Sequence, residues 1–109
     1  MIVELISTGR AQQTVVLDDL PAILGSGEEA DLRLEDAGVS YLHCMIDRVA
    51  GRLVVTDLVS ISGTFVNDDR VVDSPLVPGD MLTIGRTTYV VRYEPAAEPE
   101  PWWAEKIRD

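Results

Sequence analysis

Only one of the 109 residues is a cysteine, Cys44, and only one is a lysine, Lys106. A lone cysteine rules out an intrachain disulfide and a cysteine-rich metal site, and it fits a reducing compartment. Six residues are aromatic, so Val, Leu and Ile must do most of the core packing. Basic residues are scarce: 9 against 19 acids, for a formal net charge of −10. The imbalance is not a tail effect, because residues 1–93 carry 14 acids and 7 bases. Non-specific nucleic-acid affinity comes from Lys and Arg meeting phosphates, so no nucleic-acid partner is expected. No apolar run approaches the roughly 20 residues of a membrane span. Residues 1–20 contain Glu4, Asp18 and Asp19 and lack both a basic start and an apolar stretch of signal-peptide length. The expectation is therefore a soluble cytoplasmic protein, or a cytoplasmic piece of a larger one, with no membrane association.

What the chain does have is short apolar runs between turn signals. These are Ile2–Ile6, Thr14–Leu17, Ala22–Leu24, Leu32–Leu34, Cys44–Val49, Leu53–Asp57, Thr64–Val66, Val71–Val72, Met81–Ile84 and Thr88–Tyr93. Val, Ile and Thr suit a pleated surface, and the intervening Gly, Asp, Asn, Ser and Pro suit turns. No helical stripe is visible. Many short strands at this spacing predict an all-β sandwich or barrel. Ala50-Gly51-Arg52 predicts a three-residue hairpin connection with a bulge; Asn67-Asp68-Asp69 marks a second hairpin. After Tyr93 the composition changes. Residues 94–101 read as a Pro/Glu/Ala linker, and Trp102-Trp103 follow in a short tail. The division expected is a domain over 1–93 and a linker with tail over 94–109. Two adjacent tryptophans invite docking or self-association.

Four landmarks then appear in order: Ile23-Leu24-Gly25; Val39-Ser40-Tyr41-Leu42-His43; Asp57-Leu58 through Ser60 to Gly63-Thr64-Phe65-Val66-Asn67; and Pro78-Gly79-Asp80-Met81-Leu82-Thr83-Ile84-Gly85. Together they resemble the forkhead-associated (FHA) family over roughly residues 20–93. The resemblance implies an antiparallel β-sandwich of about eleven short strands, whose loops at one end recognise phosphothreonine in partner proteins. A phosphate carries about −1.5 to −2 charges and needs converging donors, ideally an arginine. The family pattern places Arg after the first glycine, where this chain has Ser26. It places Asn before Gly-Thr, where this chain has Ser62, and Arg or Asn after the motif serine, where this chain has Tyr41. Only Ser40 matches, and Ser40 reads equally as a phosphate contact or a loop-capping hydroxyl. Glu28, Glu29, Asp31, Glu35 and Asp36 fall in the same loops, with Arg70 the nearest basic candidate and Arg33 and Arg10 behind it.

The candidate partner-binding residues are thus Ser26, Ser40, Tyr41, Ser62, Asn67 and Arg70. Gly25, His43, Gly63 and Thr64 are structural candidates. By the resemblance His43 holds loop backbone, Gly25 and Gly63 permit turns, and Asn67 also reads as a turn organiser. Cys44 reads as a small core residue. Ser40 and His43 alone do not make a catalytic set, which needs an orienting group and an oxyanion hole. No enzyme, cofactor or metal is expected. The function expected is an FHA-like protein-interaction module with weak or lost phosphothreonine recognition. The alternative is a working phosphothreonine-peptide binder with an altered pocket.

Overall fold

The structure, a computed structural model, describes residues 2–9 and 12–94. Arg10 and the tail with Trp102 and Trp103 lie outside the described residues. Eleven strands follow one another: β1 (Val3–Ser7), β2 (Thr14–Leu17), β3 (Ala22–Gly25), β4 (Leu32–Arg33), β5 (Cys44–Val49), β6 (Arg52–Asp57), β7 (Thr64–Val66), β8 (Asp69–Val71), β9 (Asp73–Leu76), β10 (Met81–Ile84) and β11 (Thr87–Arg92). They form a six-stranded sheet in the order β2-β1-β11-β10-β7-β8 and a five-stranded sheet in the order β4-β3-β5-β6-β9. All pairings are antiparallel except the short β3–β4 pair. Among the described residues no helix is long and apolar enough to cross a membrane.

Alternation places every second side chain between the sheets. Val3 and Leu5 of β1 and Leu82 and Ile84 of β10 point inward on one side. Leu24 of β3, Cys44 and Ile46 of β5, and Leu53 and Val55 of β6 face them, all fully buried. Tyr93 closes one end, its hydroxyl donating to the Leu76 carbonyl. The core is almost wholly aliphatic, as the aromatic-poor composition requires.

Two hairpins differ in detail from the sequence reading. Val49 pairs with Arg52, so the first connection is the two residues Ala50-Gly51, at φ 52° and 78°, with Arg52 already in β6. Asn67-Asp68 make the second, at φ 49° and 71°, with Val66 paired to Asp69. Two central residues at positive φ match the twist of the flanking strands, and so a two-residue turn replaces the bulged one. β9 corresponds to none of the apolar runs. Its Pro75 reads as a breaker, yet β9 is the outermost strand of its sheet, where a residue without an N–H is tolerated.

Leu76 is fully buried on that edge strand, whereas the next residue, Val77, is exposed. Leu76→Ala is therefore expected to cost about 2–5 kcal/mol in urea-induced unfolding. Val77→Ala should change stability by no more than about 0.5 kcal/mol. Equal effects would mean that β9 does not belong to the core.

Candidate functional site

The loops after β3, β4, β6 and β10 meet at one end of the sandwich, and hydrogen bonds join them pairwise. Ser26 N donates to the Ser40 carbonyl at 3.0 Å, and Gly27 N to that of Tyr41 at 3.2 Å. This approach is so close that a Cβ on Gly25 would lie 1.9 Å from the Tyr41 carbonyl oxygen, so only glycine fits there. Ser26 Oγ donates to the Val39 carbonyl at 3.0 Å, and Ser62 Oγ to the Gly38 carbonyl. Ser40 Oγ accepts from Ile61 N at 3.0 Å. The three serines thus stand together, each bonded to a neighbouring loop. On the β10–β11 side, Asp36 accepts from Arg86 N and Thr87 Oγ1.

His43 lies completely buried beneath this junction. Its Nδ1 accepts from Ser40 N at 3.1 Å. A backbone amide can only donate, so the ring proton sits on Nε2, which donates to the Gly63 carbonyl at 2.9 Å. The backbone of His43 also donates to Leu24 and accepts from Leu58 N. One residue therefore links β3 with the loops around Ser40 and Gly63.

Asp57, at the end of β6, organises the second loop. It accepts from Ser60 N at 3.1 Å, from Ser60 Oγ and from Thr64 Oγ1 at 2.8 Å, while Ser60 Oγ accepts from Gly63 N at 3.0 Å. Burial raises the Asp57 pKa, but the bonds from Ser60 and Thr64 outweigh it and leave the carboxyl below its ordinary value. Cys44 lies next to this network. Burial foremost, then the Asp57 charge, pushes its thiol up to about 12 despite a bond with Thr64. The thiol stays protonated and out of solvent.

Two arginines flank the serines. Arg33 on β4 donates through Nε to the Ser26 carbonyl at 3.1 Å. It lines a groove of about 470 Å³ with Ser26, Gly27, Glu28, Glu29, Tyr41 and Leu42. Arg70 on β8 folds over Gly63, where a Cβ would lie 2.8 Å from its Nε; Gly63 is at φ 92°. Asn67 stands apart from the serines. It lies at the far end of β7, about 13 Å of strand from Gly63, and there holds the start of β10: its side chain donates to Asp80 Oδ1 and accepts from Met81 N, both at 3.0 Å. The structure does not bring it to the other candidate binding residues.

The sequence ranks Arg33 behind Arg70 as a basic candidate, and it places Asp57 and Ser60 in a landmark without giving either a role at the site. The spacing Asp57-x-x-Ser60 is a visible side-chain-to-backbone turn signal. Arg33 has no local signal, because parallel pairing of β3 with β4 places it beside Gly25.

The FHA domain family model matches residues 22–85. The chain is similar to the FHA domain-containing protein FhaA of Mycobacterium tuberculosis, 37% identical over 70 residues, which are 64% of this chain and 13% of FhaA. It is similar to the glycogen accumulation regulator GarA of Mycolicibacterium smegmatis, 30% identical over 83 residues, 76% of this chain and 52% of GarA. The chain therefore spans about half of GarA and a small part of FhaA. A chain solved in a structural and functional analysis of phosphothreonine-dependent FHA domain interactions superposes with a TM-score of 0.78. It is 32% identical and covers 88% of this chain and 100% of its own.

The Asp57 network makes stability depend on pH with a definite sign. Its folded-state pKa lies below the ordinary value of 3.8, so its contribution is present above about pH 4 and is lost as pH falls through the folded value. Urea midpoints of the wild type should therefore drop more steeply below pH 4 than those of Asp57→Ala. Parallel acid limbs in the two proteins would remove Asp57 from the account.

Proposed function

Because the chain belongs to the FHA domain family, we propose that its loop end binds protein or peptide partners with little preference for phosphothreonine. One observation carries this reading. A hydroxyl has a single proton to donate, and Ser26 and Ser62 donate theirs to the Val39 and Gly38 carbonyls. Of the three serines, only Ser40, whose Oγ accepts from Ile61 N, keeps its proton for a ligand. Glu28 and Glu29 on the groove wall add repulsion toward a phosphate.

Arg33 and Arg70 support a second reading, a phosphothreonine reader with an altered pocket, as in the interactions studied for the similar solved domain. The role is regulatory binding rather than catalysis, in keeping with the name of GarA. The acidic surface disfavours nucleic acid, and the single cysteine fits the cytoplasm. Self-association through Trp102 and Trp103 belongs to the same proposal. Sedimentation of Trp102→Ala/Trp103→Ala is expected to show a smaller species than the wild type at equal concentration, and identical sedimentation would remove it.

A hydrogen bond to a charged group is worth about 1.5–3 kcal/mol. Lacking the Arg and Asn of the family pattern, the site loses about 3–6 kcal/mol, or roughly 10²- to 10⁴-fold in affinity. In titrations with paired peptides, phosphorylation of the threonine should improve binding by less than about tenfold. Ser26→Arg with Ser62→Asn should widen that preference. Tight, phosphate-dependent binding by the wild type would establish the second reading instead.

A further inference from the structure

The loop end that carries the serines also carries an exposed apolar crown. Four large apolar side chains among the described residues are more than three-quarters exposed: Tyr41 at 79%, Val59 at 94%, Ile61 at 91% and Val72 at 77%. All four sit at this end. Tyr41 and Ile61 border the same serine, since Ile61 N donates to Ser40 Oγ. The Val72 carbonyl accepts from Asp57 N at 2.7 Å, which places it against the loop that bears Val59. Single exposed apolar residues need no explanation, but four of them at one end of the sandwich call for one.

Val59 is the most telling. It sits at φ 56°, a left-handed conformation that a β-branched residue strongly disfavours. The loop is held there by Asp57, which bonds Ser60 on one side and Thr64 on the other. Glycine or asparagine would meet the backbone requirement at far lower strain. Strain maintained at an exposed position points to use of the side chain itself.

The surrounding charge specifies the partner further. The domain carries an excess of acid over residues 1–93, and Glu28 and Glu29 line the groove beside Tyr41 and Leu42. Among the described residues the only ion pair is Arg92 with Glu4; Arg33 also lines the groove, bonded to the Ser26 carbonyl, which sets one cation against two carboxylates there. We propose that the crown of Tyr41, Val59, Ile61 and Val72 docks an unphosphorylated protein segment in which bulky apolar residues stand beside Lys or Arg. This rests on the binding reading above and names the chemistry of its partner. Apolar contact supplies the attraction, and the acidic groove selects basic flanks and disfavours anionic ones.

The test uses the full chain and two oriented peptide libraries, one with a fixed central Leu and no phosphate, the other with a fixed phosphothreonine. The Leu library should be retained and enriched in apolar residues and in Lys or Arg, with Asp and Glu depleted. Val59→Gly relieves the strained φ, so it should raise the thermal midpoint while weakening the selected Leu peptides by about tenfold or more. Ile61→Ser should weaken them comparably at an unchanged midpoint.

The proposal is overturned if the Leu library shows no selection, or if both variants bind like the wild type. It is overturned equally if phosphatidylcholine–phosphatidylglycerol vesicles, rather than peptides, are lost on Val59→Gly, or if the two substitutions abolish only self-association. Strong retention of the phosphothreonine library, with the Leu peptides still dependent on Val59, would defeat the weak-phosphate reading and leave the crown standing. Loss of Val59 dependence with weak phosphothreonine binding would do the reverse.

Discussion

The imidazole of His43 sits where three segments of the chain meet, and the shape of the loop end follows from its two ring nitrogens. One accepts the amide of Ser40 and the other donates to the carbonyl of Gly63, while the backbone of the same residue bonds Leu24 and Leu58. In a completely buried position none of these groups can turn to water instead. The ring therefore acts as a fixed spacer between loops that have no strand pairing with each other. Deleting it would strand the half-buried Ser40 amide and the buried Gly63 carbonyl at once, a larger penalty than the loss of either bond alone.

Around that spacer the loops bond to one another rather than leaving donors free. Ser26 and Ser62 reach only to carbonyls of the loop between β4 and β5. An Arg or Asn at those positions would extend past the neighbouring backbone into solvent; a serine hydroxyl, one atom beyond Cβ, ends within it. The short side chains thus exchange outward recognition for internal order. The same economy appears at Asp57, whose carboxylate takes up Ser60 and Thr64 and fixes the loop that turns Val59 and Ile61 outward. Rigid polar bonding below and apolar side chains above are two consequences of one loop geometry.

This separation of scaffold from surface is how a common fold accommodates different partners. The sandwich core, Val3 through Tyr93, is almost wholly aliphatic and indifferent to what the loops carry. Charge acts at longer range than packing, so in the proposed binding mode the acidic surface bears on encounter and partner choice, while the crown and groove bear on what stays bound.

The strands were legible because their signals are local. Alternation in Val3–Ser7 or Met81–Ile84, and turn residues at Asn67-Asp68, depend on neighbours a few positions away. β9 was not legible, since Pro75 is acceptable only where tertiary order makes its strand an edge. The four landmarks located the serines and His43, but not what their hydroxyls and ring nitrogens bond. The partners of Ser26, Ser62 and Asp36 lie 13, 24 and 51 residues away. Arg33 reaches Ser26 only because β3 and β4 run parallel, and Asn67 leaves the serines because β7 carries it to the far end. The residue types set which donors and acceptors exist; only the folded chain decided which of them meet, because a hydrogen bond forms across about 3 Å of space whatever the distance along the sequence.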